Sequence, residues 1–288
     1  VGLLLLEKID VVMCTYNSNK PFFRNILLAI RKEIPLHCFI AVDKFSSDGT
    51  VDTILDVFPE AKVIKSHQNL GCARKLGIDK VDTRYFAFVD DDVLLLNGWY
   101  EHVMKLMKKE VGAVSCYAKA RIPYLQELFE YTKPTKHIIV SSIKNIDSQR
   151  GFAYATLIKK EAISDWKPSN ILSACEDHEI LRHIVRKGFL WLTSYFVFAE
   201  HLGYPSNFMS LLKFIWQKTT WNTAGCRYTG FIKLNPAKLL FRMMLGFWAG
   251  LKISCLTRNS LIFSYYCLNE LAFFIGYTCW KKKIIFKR

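Results

Sequence analysis

Five short runs of β-branched and aromatic residues, each parted from the next by a segment of helical character, limit this chain more than any other feature. The runs are Ile9–Thr15, 38–42, 62–64, Tyr85–Val89 and 111–116; the helical segments are 21–32, 50–58, 71–79 and 98–108. Strands that recur with one helix between them close as βαβ units, with parallel strands and right-handed crossovers. Pro21 suits a first helical turn, and Asp48, Gly49 and Thr50 supply turn and cap chemistry before the second helix. Ligands of such sheets bind beyond the carboxyl ends of the strands. That rim collects Thr15, Tyr16 and Asn17, then Asp43, the loop before Gly71, and finally Asp90, Asp91 and Asp92.

Three consecutive carboxylates after the apolar run Phe86, Ala87, Phe88 and Val89 require a physical reason. Like charges at the end of a buried strand repel, and a divalent cation bridging to phosphate would hold them together. A solvated turn is the competing reading for an isolated triplet. Plainer readings also stand beside other polar residues. Asp43 can cap a loop, Glu176 and Asp177 can be the acidic first turn of a helix, Arg74 can be an exposed helix residue, and His201 can be structural.

The residues on this rim carry a resemblance. Val11 to Asn17, Ala41-Val42-Asp43 and Ser46 to Thr50 occur in order with Asn69 to Gly77, the three aspartates, Gly151, Cys175 to Ile180 and Gly188. Over about residues 8–202 the chain resembles glycosyltransferase family 2, nucleotide-sugar enzymes of the GT-A fold. One departure is Lys75, where the family usually has Asn. The resemblance implies an α/β, Rossmann-like, mainly parallel sheet flanked by helices. It also implies an inverting transfer of a single sugar from a nucleoside-diphosphate donor, with uridine favoured over guanosine. Thr15, Tyr16, Asn17, Asp43, Asn69, Gly71, Arg74, Asp90 and Asp91 would bind the nucleotide sugar. Asp92, with His201, would hold Mn²⁺ or Mg²⁺ against the diphosphate. Asp177 would be the catalytic base, and Glu176 and Trp221 would lie on the acceptor side. A polyprenyl-phosphate glycosyltransferase is the near alternative. A nucleotide-sugar-binding module without turnover and a nucleotidyltransferase are more remote. The nucleotidyltransferase would normally open with a glycine-rich phosphate loop, which residues 14–18 do not supply.

Charge divides the chain. Residues 203–288 hold 13 Lys and Arg against one acid, Glu270, and so carry +12 of the net +15. These charges punctuate long apolar runs, which suits a membrane surface and not nucleic acid. The boundaries expected are 1–202 for the catalytic domain, 203–235 for a connecting, acceptor-side helical segment, and 236–288 for membrane-associating helices. Basic flanks place the tail on the cytoplasmic face, as a peripheral or monotopic element contacting a lipid-linked or surface-glycan acceptor. The leucine run at 3–6 lacks a basic leader and makes a poor signal peptide. Nine dispersed cysteines, none at CxxC spacing, read as reduced thiols and so favour a cytosolic environment. Gln217 to Trp221 is similar to the Gln-x-x-Arg-Trp signature of processive family members, but Thr220 replaces the arginine. An amphipathic helix with Trp216 and Trp221 in the core is the simpler reading, and a single addition is preferred over polymerisation. Oligomeric state is not set by the sequence.

Overall fold

The computed structural model describes residues 7–122, 124–125, 127–128, 131, 136–146, 149, 151–169 and 174–279; the leucine run at 3–6 and the lysines at 281–283 lie outside them. Strands β1 (Ile9–Thr15), β2 (Leu36–Asp43), β3 (Lys62–Lys65) and β4 (Tyr85–Val89) form one parallel half-sheet in the order β3-β2-β1-β4. Helices α1 (Phe23–Glu33), α2 (Thr50–Val57) and α3 (Leu70–Ile78) are the crossovers. After β4 come β5 (Val93–Leu95), α4 (Trp99–Leu106), β6 (Val111–Ala120), β7 (Ile138–Ser141) and β8 (Ala155–Lys159). They are followed by α5 (Glu176–Arg186) and β9 (Leu190–His201).

Both faces of the sheet are buried, as expected where crossover helices cover them. Along β1 the side chains alternate. Ile9, Val11 and Met13 join Phe23, Ile26 and Ile30 of α1, Ile54 of α2 and Trp99 of α4 in one core. Val12 points to the other core, with Ile40, Phe86, Phe88 and residues Ile180, Leu181 and Ile184 of α5. Period two in the strands and an apolar stripe on each helix therefore suffice to set the three layers.

The second half of the sheet is antiparallel in part, which the alternation of strands and helices did not disclose. Strand β8 inserts between β4 and β6 and runs against both, so the full order is β3-β2-β1-β4-β8-β6-β9-β5. Strand β9 is long enough to serve three partners. It runs parallel to β6, pairs with β7 near its start, and pairs with β5 at its end. That last register sets Val93 opposite His201 and so brings His201 beside the aspartate that precedes β5.

Beyond β9 lie α6 (Phe208–Tyr228), α7 (Pro236–Thr257) and α8 (Ser260–Thr278). Asn207 and Asn235 cap α6 and α7 by accepting from Ser210 N and Lys238 N. Helix α8 packs on both α6 and α7. Thr219 donates to Asn269 at 2.8 Å across the first contact, and Arg242 pairs with the buried Glu270 across the second. Helix α7 is long and apolar enough to cross a membrane, and only 17% of its most apolar window is buried. Leu240, Phe241, Met244, Leu245, Trp248 and Leu251 are all exposed on it.

Gly77 sits where α3 presses on β1, so closely that an added Cβ would collide with Val12 Cγ1. Alanine exceeds glycine by about 1 kcal/mol in a helix interior, whereas overpacking a filled core costs about 1–3 kcal/mol. The packing cost prevails, because Val12 is β-branched and lies in a central strand. Gly77→Ala should therefore lower the thermal or urea unfolding midpoint; an equal or higher midpoint would show that α3 is free to shift.

Candidate active site

The carboxyl end of β4 is where the acids meet. Ser18 Oγ donates to Asp91, tying the loop after β1 to the triplet. Burial pushes the Asp91 carboxyl up to about 6. The Asp92 carboxyl is pushed up to about 8, first by burial and then by the neighbouring Asp91 and Asp90. Its Oδ2 lies 3.4 Å from Nε2 of His201. Burial holds His201 down at about 3, so its imidazole is neutral near pH 7 with a lone pair to offer. Its Nδ1 is buried and has no hydrogen-bond partner among the described residues.

These features fit a divalent cation. Crowded acids that resist ionisation gain from a positive charge, and a carboxylate plus a neutral imidazole suits Mn²⁺ or Mg²⁺. Among the described residues no group of three or more His, Cys, Asp or Glu converges on one point. Asp92 and His201 would thus supply two ligands and leave the other positions to substrate oxygens. Gly203 completes the corner: a Cβ there would collide with the Asp92 carboxylate. Leu202 N also donates to Asp92 O at 2.8 Å.

Arg74 of α3 stands behind the triplet, almost wholly buried. Its guanidinium donates to Asp90 at 2.8 Å and to Ala153 O at 2.9 Å, and its Nε lies 3.4 Å from Glu176. It also stacks over the Phe88 ring at 4.8 Å. Burial works against its charge, but Asp90 and Glu176 outweigh burial and raise its proton affinity. Burial pushes Glu176 up to about 7 against the pull of Arg74, with Asp177 adding to the rise. Asp177 follows in the first turn of α5 and accepts from His178 N at 2.9 Å.

Arg74, Asp90, Asp91, Asp92, Glu176, Asp177, His201 and Trp221 all line one cavity of about 500 Å³. The same cavity has an aromatic lining, Tyr117, Phe152, Tyr154, Tyr204 and Phe214, with Gln217, Lys218 and Asn222 of α6 beside Trp221. Trp221 thus faces the cavity, which corrects the expectation of a core tryptophan. The helical spacing 214, 217, 218, 221 and 222 was the available signal for this face of α6. Tyr117, Phe152 and Tyr154 come from separate strands and loops and carried none.

The remaining nucleotide candidates surround this cavity without lining it. Asp43 is fully buried, and all four acceptor directions of its carboxylate are used. Thr15 Oγ1 (2.9 Å) and Ser46 Oγ (2.5 Å) donate to Oδ1, and Ser46 N (2.9 Å) and Lys65 Nζ (2.7 Å) to Oδ2. Burial raises its proton affinity, but these donors, Lys65 first, hold it below the usual carboxylate range. Tyr16 is exposed, with the Lys44 ammonium 5.6 Å from its ring centroid. Asn17 adopts a positive φ of 48° and accepts from Ser47 N. Asn69 caps α3 and donates to Ser169 O at 3.0 Å; Gly71 lies against Glu176 and Pro168. One cysteine expectation is also corrected: Cys175, just before Glu176, forms a disulfide with Cys226 of α6, while the other seven cysteines are free.

The family model described as "Glycosyl transferase family 2" matches residues 10–178. Among solved structures, the chain is similar to the mannosyltransferase PcManGT from Pyrobaculum calidifontis in complex with GDP-Man and Mn²⁺. The TM-score is 0.67 at 12% identity, over 97% of this chain and 89% of that one. It is also similar to S. aureus TarS 1-349, with a TM-score of 0.54 at 14% identity over 95% and 91% of the two chains. No curated protein matches the sequence.

Gly203→Ala should displace the Asp92 carboxylate while leaving the fold intact. Calorimetric titration with Mn²⁺ and a nucleoside diphosphate, beside a circular-dichroism melt, should show weakened metal-dependent binding at an unchanged midpoint. Undiminished binding would mean that the Asp92 corner can yield without loss.

Proposed function

Because the chain belongs to glycosyl transferase family 2, we propose that this glycosyltransferase passes a single sugar, with inversion, from a nucleoside-diphosphate donor to a lipid-linked or surface-glycan acceptor. The observation that carries this reading is one cavity holding both the Asp92–His201 pair and Asp177. A metal-ion cofactor, Mn²⁺ or Mg²⁺, held there by Asp92 and His201 would neutralise charge on the departing diphosphate. Asp177 takes the proton of the acceptor hydroxyl as its oxygen attacks the anomeric carbon. Arg74 keeps Asp90 and Glu176 in place, and Glu176 stands next to the base on the acceptor side. The aromatic wall and Trp221 present flat apolar faces to sugar rings, which supports a glycan-bearing acceptor.

Uridine is the base that the sequence resemblance favours, whereas the similar mannosyltransferase structure contains GDP-Man. Competition between UDP and GDP decides between them. In this proposal Asp43 organises Thr15 and Ser46, and a bond to the base would replace one of its present donors.

The exposed apolar face of α7, with Lys238 and Lys252 on the same helix, supports a monotopic helix lying in the membrane interface. The Cys175–Cys226 bond removes the reduced-thiol ground for a cytoplasmic location. The basic residues beside α7 are the ground that remains, and the cytoplasmic face is proposed on that basis. Since α6 lines the cavity and also carries α8, the acceptor would be met close to the lipid surface.

General-base assistance contributes about 10²–10⁴-fold in rate. Asp177→Asn should lower turnover on that scale with donor affinity little changed. A loss of only a few-fold in folded protein would instead point to an acceptor that is already anionic, as in a polyprenyl-phosphate glycosyltransferase. For the tail, Phe241→Glu with Trp248→Glu should abolish co-sedimentation with vesicles containing phosphatidylglycerol. Persistent binding would refute α7 as the membrane face.

A further inference from the structure

Among the described residues, five carboxylates and two permanently cationic side chains, Arg74 and Lys218, line the cavity. Arg74 is committed to Asp90, Glu176 and Ala153 O, on the buried side. Lys218 enters from α6. Its ammonium lies 5.0 Å from the Tyr204 ring centroid and 5.4 Å from that of Phe214. Ring faces attract a cation, so they hold the ammonium against the cavity wall. The Tyr204 ring lies in turn 5.1 Å from that of His201, which is 3.4 Å from Asp92, so Lys218 stands on the Asp92–His201 side of the cavity.

Helix geometry explains why this position bears the charge. Residues 214, 217, 218, 221 and 222 recur at three- and four-residue spacing and share the cavity face. Thr220, the position occupied by arginine in the signature that Gln217 to Trp221 resembles, lies on another face. Its Oγ1 donates to Ala272 O of α8 at 3.5 Å. An arginine at 220 would meet α8 and not the acids. In this chain the cavity's cation sits two residues earlier.

We propose that Lys218 binds the donor's diphosphate and stabilises it as the leaving group, on the side away from Arg74. This rests on the glycosyl-transfer reading. As the bond between the anomeric carbon and the phosphate oxygen breaks, its electron pair stays on that oxygen. The acceptor oxygen forms the new bond, and its proton goes to Asp177. Lys218 keeps its own proton throughout and contributes a charge-assisted contact that strengthens as the diphosphate gains charge.

The test uses the full chain with Mn²⁺, titrated calorimetrically with GDP, UDP, GMP and UMP. For whichever base the wild type binds, Lys218→Ala should weaken the diphosphate about 10- to 100-fold, the scale of one hydrogen bond to a charged group. The monophosphate should lose much less, Lys218→Arg should restore most of the affinity, and the alanine variant should show reduced kcat as well as raised KM. Equal losses for mono- and diphosphate without rescue by arginine would make Lys218 a packing residue and overturn the proposal. So would undiminished diphosphate affinity in a folded Lys218→Ala variant. If the wild type binds neither GDP nor UDP, the glycosyl-transfer reading fails, and the Lys218 assignment with it.

Discussion

A guanidinium shut away from water between two carboxylates is the contact on which the site depends. Taking an ion out of water costs several kcal/mol, and only close counter-charges with satisfied hydrogen bonds offset it. Arg74 has the counter-charges in Asp90 and Glu176 and donates to Asp90 and Ala153 O, while its buried Nε faces Glu176 at 3.4 Å without a hydrogen bond among the described residues. Those partners belong to the end of β4, the start of α5 and the approach to β8. One side chain from α3 therefore sets the positions of the acid triplet and the start of α5 together. Loss of either carboxylate would leave a buried cation under-compensated, so the β4 end and the α5 end of the cavity are energetically one unit.

The parallel half of the fold was legible because its cause is local. Ile9, Val11 and Met13 alternate with Val12 as a strand between two helical layers demands, and β4 ends at the aspartates as its apolar run indicated. His201 could be named from its place at the end of a strand-like run, although its contact with Asp92 depends on the pairing of β5 with β9. What escaped the sequence was non-local. Strand β8 is short, and nothing in its five residues announces an antiparallel insertion. The aromatic wall draws on β6, the approach to β8 and α6, which only tertiary packing unites. Asp43 shows a different limit. Its residue type and its place on the rim were apparent, but the saturation of its carboxylate by Thr15, Ser46 and Lys65 was not.

The C-terminal helices divide polar and apolar duties in a way that composition alone obscured. Glu270, the single acid of the basic tail, is turned inward against Arg242 and is 4% exposed. The cost of a carboxylate in an apolar helix is met within the α7–α8 pair. The outward face of α7 is thereby left to leucine, phenylalanine, methionine and tryptophan. Helix α6 lies between this layer and the cavity, with Trp221 facing inward and Thr220 facing α8.

The bond between Cys175 and Cys226 closes a covalent ring, its two ends 51 positions apart along the chain. That ring contains α5, β9 and most of α6, and so includes both Asp177 and Trp221. Because the joined residues stand just before α5 and on α6, with Cα atoms 5.9 Å apart, the bond limits how far these two walls of the cavity can part near Asp177.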